Sequence, residues 1–565
     1  MENMYDKIQV SVGHKAIFGY GISFEEIISI ISRYPAFQWL DLAAKIEGFL
    51  TVKDRKILNP QIFLAQNLLP PSTIRRLCNH SANSDVCFTL GQLNYLRKLA
   101  IAYGRNNDQD TELPMQFADI SKALLSVQDL HNRFDVAQGD RFESFCQFII
   151  RNGYLNSNPD PINLFFRARK MYIDLAQKII FRDGKSFCDF FKEITHLEIE
   201  RALSLNFALV NPFFQNKEKL LFETTIINPR TFFHELLVNP TVGNSIIDTM
   251  IIDFVCAKEI IMKELADNPE IAPLGYNLDI FRKTPLIRLD NGNLVCANLS
   301  CLLQKITQNL IWVPKIIMNG LRKQESDELV NRLTDYRGIL FGEYIMQLFT
   351  IMKEKNQKID FFYVDPDMTE DHEEVGDSLL YQDGQLVIIE AKSRQFNESF
   401  KYTGDWGKDS HFFKELINKA SKQIQCAAEK IKKGQVAALP FQPQEIKRIY
   451  PVILTYEQIP MHAKMQRFVR QKTQEYGYLI DGIFAPIEVI YIGDLELFMD
   501  CSDSLTLIEL LEQKNSSDSH ASETNFNNFL TNYLGNHEII SNGWQLDQFK
   551  HFTDEIVDPN LIFKN

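Results

Sequence analysis

The chain of 565 residues carries 60 Lys or Arg against 73 Asp or Glu, so its formal net charge is −13 at pH 7. This acidic balance excludes a protein that binds nucleic acid over its whole surface, although it leaves room for a local basic groove. Hydrophobic residues make up 45% and charged residues 24% of the chain, as in soluble globular proteins, and the length corresponds to roughly three to four domains.

Targeting signals and cysteines bear on the compartment. The first residues lack a basic start followed by an apolar block, so we predict no secretory signal. The most apolar window, residues 246–262, is interrupted by Asp248, Asp253 and Lys258, which favours a buried helix over a membrane span. Nine scattered cysteines without a Cys-x-x-Cys pair indicate reduced thiols. A cytoplasmic protein without a membrane partner is therefore expected.

The N-terminal part, residues 1–210, has a mainly helical pattern. Ser23 followed by Glu26 resembles a helix-capping box, and apolar residues then recur at helical spacing. Further helices are predicted at 90–104, 141–153 and 161–181. This region is interpreted as a helical sensor or scaffold, and its ligand is left open.

Two further regions follow before the tail. Residues 211–335 form a helical bridge with a predicted hairpin near 284–298, where Asn291-Gly292 supplies the turn. In residues 336–511 helices and strands alternate, which predicts a mixed α/β sheet covered on both faces. Its predicted elements are a helix at 338–354, a strand near 358–364, a hairpin at 377–393, a helix at 411–434, a strand at 446–456, a helix at 461–477, a strand at 487–493 and a helix at 494–500. Residues 512–565 are expected to be a polar loop and a C-terminal tail.

The hairpin at 377–393 carries the strongest local signal. Asp383-Gly384 is typical of a two-residue type I′ turn, and this turn would set Gln382 opposite Gln385 and Asp377 opposite Glu390. Because side chains alternate along a strand, Lys392 would lie on the same face as Glu390. The sequence therefore predicts that two carboxylates and one ammonium group converge at the end of an apolar strand pair.

Two explanations of that convergence are compatible with the residues. Facing carboxylates repel each other, and a divalent cation between them would remove the repulsion while a nearby lysine orients or activates a water molecule. A solvated strand end with a Glu390–Lys392 or Asp377–Lys392 ion pair is the alternative. Residue types alone leave both explanations open.

The same residues resemble a known motif. Asp377 followed by Glu390-Ala391-Lys392 at the end of an apolar strand is similar to the core motif of the PD-(D/E)XK nuclease superfamily, whose fold is restriction-endonuclease-like. The resemblance covers about 160 residues, from 338 to 500, and includes the order of the elements. It departs from the pattern at Gly376, where the family name has Pro.

The resemblance implies a Mg²⁺-dependent endonuclease, with Mn²⁺ able to substitute. It assigns the metal to Asp377, Glu390, the backbone carbonyl of Ala391 and, on the preceding helix, Glu343. It makes Lys392 the residue that positions or activates water, and Gln423 on the following helix the residue that supports Lys392 or substrate. DNA is the first expected substrate, RNA is not excluded, and a role in bacterial restriction or antiviral defence would fit by analogy.

Charge along the chain agrees with a nucleic-acid site in this region. Residues 401–450 hold ten Lys or Arg against five Asp or Glu, and Lys419, Lys422 and Lys430 lie on the predicted helix beside Gln423. Such lysines could neutralise phosphate charge, although a solvated helix face is the simpler role. The acidic stretch 360–377 is interpreted as a loop, with an additional metal site as the less favoured explanation.

Other functions remain as alternatives. A catalytically idle nucleic-acid-binding protein of the same fold would keep the sheet without cleavage, and an α-helical interaction protein would use the α/β part only as a platform. Self-association or an activating partner that binds the N-terminal region is also left open. Gly184-Lys185-Ser186 lacks the glycines of a phosphate-binding loop, so we predict no NTPase.

Overall fold

The computed structural model describes residues 12–51, 59–80, 87–105, 114–132, 149–151, 153–155, 160–180, 184–214, 217–235, 246–267, 275–318, 321–363, 375–394, 406–436, 439–516, 522–537, 539 and 541–556. The protein is a mixed α/β structure, as the sequence predicts, with two small sheets in its C-terminal half. Within the described ranges, no helix combines the length and the apolar character that crossing a membrane requires.

Helices dominate the N-terminal part. They are α1 (His14–Phe18), α2 (Phe24–Ile31), α3 (Ala36–Thr51), α4 (Pro60–Leu68), α5 (Pro71–His80), α6 (Leu90–Tyr103), α7 (Phe117–Asn132), α8 (Pro161–Arg169), α9 (Phe187–Thr195) and α10 (Ile199–Val210). Ser23 caps α2 as expected, because its Oγ accepts the Glu26 N–H at 3.2 Å. The helical pattern at 23–50 is divided into two helices at Pro35, which lacks the N–H that a continuous helix needs.

Part of the third predicted helix, residues 141–153, lies outside the described residues. The fourth, predicted at 161–181, changes character midway. After α8 the chain continues as a π-helical segment, Lys170–Leu175. Such wide turns are often found at functional sites, and propensity in the sequence does not reveal them.

A three-stranded sheet follows the first helices. The next elements are α11 (Lys217–Leu220), α12 (Pro229–Glu235), β1 (Ile251–Asp253), α13 (Phe254–Asp267), α14 (Asp279–Lys283), β2 (Leu286–Arg288), β3 (Leu294–Cys296), α15 (Leu299–Ile306) and α16 (Val313–Ile317). The hairpin predicted near 284–298 is confirmed, but Leu289 N–H donates to Asn293 O at 2.8 Å, so the loop has three residues, 290–292. Gly292, at φ 83°, takes the left-handed position that such loops favour.

The prediction of one buried helix at 246–262 was wrong. A short 3₁₀ turn and strand β1 occupy its first half, since Ile251 and Ile252 pair in parallel with Leu286 and Ile287 of β2. Only the second half is helical, and α13 leaves Val255 and Ile260 exposed.

The C-terminal half contains a five-stranded sheet. Its elements are α17 (Lys323–Lys355), β4 (Phe361–Tyr363), β5 (Ser378–Gln382), β6 (Gln385–Lys392), α18 (Trp406–Lys432), β7 (Arg448–Thr455), α19 (Ala463–Glu475), β8 (Glu488–Tyr491), α20 (Ile492–Phe498), α21 (Leu507–Ser516), α22 (Phe526–Asn536) and α23 (Trp544–Ile556). The strand order is β4-β5-β6-β7-β8. Strand β5 pairs antiparallel with both β4 and β6, whereas β6, β7 and β8 pair with one another in parallel.

Two differences from the expected pattern concern the ends of this half. Helix α17 begins fifteen residues before Gly338, because the charged stretch before it contains good helix formers and its first turn is closed by a reciprocal Arg322–Glu325 cap. The C-terminal tail that was expected after a polar loop contains the two helices α22 and α23, and it packs back on the fold, since Leu530 and Phe552 are fully buried in the main core.

The five-stranded sheet is covered on both faces. Val387 and Ile389 point into a core that also includes Tyr172 of the helical region and Tyr344 of α17. The alternating residues Leu386 and Ile388 point into a second core beneath α18. The helical region and the sheet therefore share one continuous core on the first face.

Candidate active site at the end of strand β6

The turn between β5 and β6 has the geometry that its sequence predicts. Asp383 (φ 49°) and Gly384 (φ 83°) both adopt positive φ, as a type I′ turn requires. A Cβ atom on Gly384 would lie 2.7 Å from the backbone oxygen of Glu445, so glycine is needed for space as well as for conformation. Gln382 pairs with Gln385 and Ser378 with Ile389, which confirms the expected register.

Asp377 lies one residue before β5 and next to the end of β6. Its N–H donates to Ile389 O at 3.1 Å, and its Oδ2 accepts the N–H of Ala391 at 2.6 Å. The preceding residue, Gly376, has φ 87°, a conformation that proline cannot adopt because its ring fixes φ near −65°. Proline could therefore not replace Gly376 without a change in this backbone conformation.

Glu390 is a buried carboxyl group beside Asp377, with only 3% of its surface exposed. Burial, followed by the nearby Asp377 carboxylate, raises the pKa of Glu390 to about 8, although Lys392 acts in the opposite direction. The contact between the two carboxyl groups is the convergence that the hairpin register predicts. It leaves Glu390 largely protonated at neutral pH when no cation is bound.

Lys392 connects Glu390 to helix α18. Its Nζ donates to Glu390 Oε1 at 2.5 Å and to Gln423 Oε1 at 3.0 Å. An ammonium group has three donors, so one remains for a water molecule or a phosphate oxygen. The structure thus brings together four of the predicted catalytic residues, Asp377, Glu390, Lys392 and Gln423.

Glu343 is in a different position. It is half-buried on α17, whose apolar side chains Phe341 and Tyr344 cover the face of the sheet opposite to α18. Among the described residues, no group of three or more His, Cys, Asp or Glu could hold a metal ion. Glu343 therefore does not complete such a group with Asp377 and Glu390, and its role as a ligand stays a prediction, as does that of the Ala391 carbonyl.

The predicted basic residues lie along α18. Lys419, Gln423 and Lys430 share one row of the helix because they are separated by four and seven residues, and Lys422 is adjacent. Lys419 forms an ion pair with Glu415 at 2.7 Å, whereas Lys422 is exposed. Most of the acidic stretch 360–377 lies outside the described residues.

Sequence reasoning missed one residue that contacts the site. Tyr456 directly follows β7, and its N–H donates to the carbonyl oxygen of Lys392 at 3.0 Å. The sequence places Tyr456 at the end of a strand, but only strand order and register reveal its neighbour.

Comparison of the sequence with models of known protein families and with curated proteins found no match. The geometry of the site is therefore the basis for assigning a function. Within the described part of the chain, these two carboxyl groups, Asp377 and Glu390, hydrogen-bond to each other, Asp377 also accepts the Ala391 N–H, and Glu390 also accepts from the Lys392 ammonium group. Two adjacent carboxyl groups beside an ammonium group are suited to binding a hard divalent cation once both are ionised.

Proposed function

We propose that this chain is a metal-dependent nuclease with a restriction-endonuclease-like C-terminal part. The observation that carries the proposal is the convergence of Asp377, Glu390, Lys392 and Gln423 at the end of β6. A sheet in which an antiparallel hairpin leads into parallel strands, with helices on both faces, agrees with the resemblance to the PD-(D/E)XK superfamily.

Mg²⁺ fits the donor atoms that are present. This ion prefers hard oxygen ligands, and it is usually held by one or two carboxylates while it keeps several waters or binds substrate phosphates. Asp377 and Glu390 would hold it, with Glu343 and the Ala391 carbonyl as further predicted ligands, and Mn²⁺ would substitute. When bound, the cation would stabilise the negative charge that develops on the phosphate during hydrolysis.

The residues of the chain have separate roles in this proposal. Lys392 uses its third donor to orient the attacking water or a phosphate oxygen, and Gln423 holds the ammonium group at 3.0 Å. Lys419, Lys422 and Lys430 would neutralise backbone phosphates along α18. DNA is the proposed substrate, and restriction or antiviral defence is the proposed setting.

The test is cleavage of plasmid, linear and single-stranded DNA and of RNA by the purified full-length protein, with and without Mg²⁺ or Mn²⁺. We expect cation-dependent cleavage that falls by at least about a hundredfold in Asp377→Ala and in Lys392→Ala. Lys433→Ala is the control, because Lys433 is exposed at the end of α18 and pairs only weakly with Glu429, at 3.9 Å.

A second measurement separates inactivity from a missing activator. Calorimetric titration should detect Mg²⁺ binding to the wild type and weaker binding to Asp377→Ala. Cleavage that survives both substitutions contradicts the mechanism. A wild type that neither cleaves nor binds the cation contradicts the proposed function, whereas cation binding without cleavage favours the idle nucleic-acid-binding alternative or an absent activator.

A further inference from the structure

Tyr456 connects the end of strand β6 with the helical region. It is 1% exposed and follows directly after Thr455, which pairs with Lys392 in the parallel β6–β7 ladder. The Tyr456 N–H extends this ladder by donating to the Lys392 carbonyl oxygen at 3.0 Å. The described segment that contains Lys392 ends two residues later, at Arg394. Tyr456 therefore holds the main chain of Lys392 close to the end of this segment.

The Tyr456 hydroxyl faces the helical region. It lies 3.4 Å from the hydroxyl of Tyr172, which belongs to the π-helical segment Lys170–Leu175. Tyr172 donates its only hydroxyl proton to the carbonyl oxygen of Gln308 at 2.9 Å. Tyr456 must therefore be the donor between the two hydroxyl groups. Burial raises the pKa of both tyrosines, which keeps them neutral and preserves this direction.

Two further contacts fix the Tyr456 ring. The ring of Phe341 on α17 packs edge-on against it with centroids 5.3 Å apart, and the Arg167 guanidinium of α8 lies 6.0 Å from its centroid. Tyr456 is thus in contact with α17, α8 and the π-helical segment at the same time as it holds the main chain of Lys392. These are elements from both sides of the predicted boundary between the helical region and the α/β part.

We propose that Tyr456 is a positioning residue for Lys392, and that the helical region maintains the geometry of the site through the Tyr172–Tyr456 contact. The proposal rests on the nuclease function given above. Its physical basis is that catalysis depends steeply on placement, so a displacement of about 1 Å at a reacting group can cost a hundredfold in rate. Tyr456 would act on Lys392 through the main chain and would not touch the substrate.

The experiment compares two buried tyrosines. Tyr456→Phe removes the hydroxyl, and Tyr456→Leu also removes the ring contacts with Phe341 and Arg167. Tyr336→Phe and Tyr336→Leu are the matched controls. Tyr336 is also 1% exposed, and its hydroxyl lies 3.2 Å from Ala176 O and 3.3 Å from Ile179 O, next to the same π-helical segment. Among the described residues, no hydrogen bond joins it to Lys392.

Two measurements are made on each full-length variant. The first is cleavage, for which we expect kcat to fall about threefold in Tyr456→Phe and about thirtyfold in Tyr456→Leu, with KM unchanged. The second is the rate at which an amine-reactive acetylating reagent modifies Lys392, measured by peptide mass spectrometry relative to other lysines. We expect this rate to rise about twofold or more in the Tyr456 variants and to stay constant in the Tyr336 variants, because local loosening exposes Lys392 only in the former.

The acetylation measurement needs no activity, so it decides the positioning role even when the nuclease function fails. An unchanged Lys392 rate in both Tyr456 variants overturns the proposal, as does an equal increase in the Tyr336 variants. If Tyr456→Leu does not fold, as judged by circular dichroism, the Tyr456→Phe result decides. A wild type that neither cleaves nucleic acid nor binds the cation contradicts the proposed function alone.

Discussion

The protein contains two buried carboxyl groups, Glu390 and Glu496, that each form an ion pair with a basic side chain. They differ in how many hydrogen bonds their oxygens accept. Glu496 on α20 is completely buried and accepts from Arg167 Nε at 2.6 Å, from Arg167 Nη2 at 2.5 Å and from the Tyr344 hydroxyl at 2.8 Å. Within the described residues Glu390 accepts only from Lys392, and it lies against a second carboxylate.

Burial raises the pKa of both glutamates, so a shifted pKa by itself does not distinguish them. The distinction lies in the remaining acceptor capacity. Glu496 has its oxygens occupied by a two-pronged guanidinium and a phenol, which makes it a structural pair between the helical region and the α/β part. Among the described residues, Glu390 and Asp377 each accept from one N–H donor and hydrogen-bond to each other, and the proposed cation would use their remaining acceptor capacity.

The largest expected difference between the two clusters is in stability. Arg167→Met leaves Glu496 buried without its cation, so the free energy of unfolding should fall by about 3–5 kcal/mol. At pH 7, Lys392→Met should change it by about 1 kcal/mol or less, because Glu390, with a pKa of about 8, is largely protonated and leaves little unpaired buried charge. Denaturant unfolding measures both values. Equal losses in the two variants would show that the Glu390–Lys392 pair is as structural as the Arg167–Glu496 pair.

The second effect concerns cation binding and pH. Because the pKa of Glu390 is about 8, cation binding must displace its proton at lower pH. The apparent affinity for Mg²⁺ should therefore rise about tenfold per pH unit from pH 6 and level off above pH 8. Calorimetry in two buffers of different ionisation enthalpy should detect nearly one released proton at pH 7. Binding without proton release would show that Glu390 is not a ligand.

The third effect is the pH dependence of stability without a cation. The pKa of Glu390 is raised in the folded state above its ordinary value of 4.5, so its stabilising contribution is complete below pH 4.5 and is lost as pH rises through about 8. Asp377→Asn removes the neighbouring charge and can still accept from Ala391 N–H. As the pH rises from 5 to 9, the free energy of unfolding of this variant should increase by about 1–2 kcal/mol relative to that of the wild type. A constant difference across that range would contradict the contact between the two carboxyl groups.

The smallest effect is expected for Gln423. It is exposed on α18 and contacts the site through one hydrogen bond to Lys392. Gln423→Ala should leave the unfolding free energy within about 0.5 kcal/mol of wild type while it lowers kcat about three- to tenfold. Gln425→Ala is the matched control two residues further along the same helix. Equal kinetic losses in the two variants would show that Gln423 has no specific role.

The site was largely predictable because its geometry is local. An Asp-Gly turn fixes the register of the residues beside it, and the alternation of side chains then assigns Glu390 and Lys392 to one face. The same reasoning located α18 and placed Gln423 on it. Short-range rules of this kind require no knowledge of the remaining fold.

The features that escaped prediction depend on contacts between distant parts of the chain. Arg167 and Glu496 are separated by 329 positions, and no periodicity connects them. The π-helical segment at Lys170–Leu175 has an ordinary helical composition, and β1 occurs in a stretch that is apolar enough for a helix. In these places tertiary packing decides the conformation, and propensity in the sequence does not.

The type I′ turn also determines which changes in length the hairpin can tolerate. Inserting or deleting one residue between Gln385 and Ile389 would move Glu390 and Lys392 to the face that α17 covers, away from Gln423. A change of two residues would keep the faces but shift both side chains along the strand, away from Asp377. This hairpin should therefore tolerate substitutions better than changes in length.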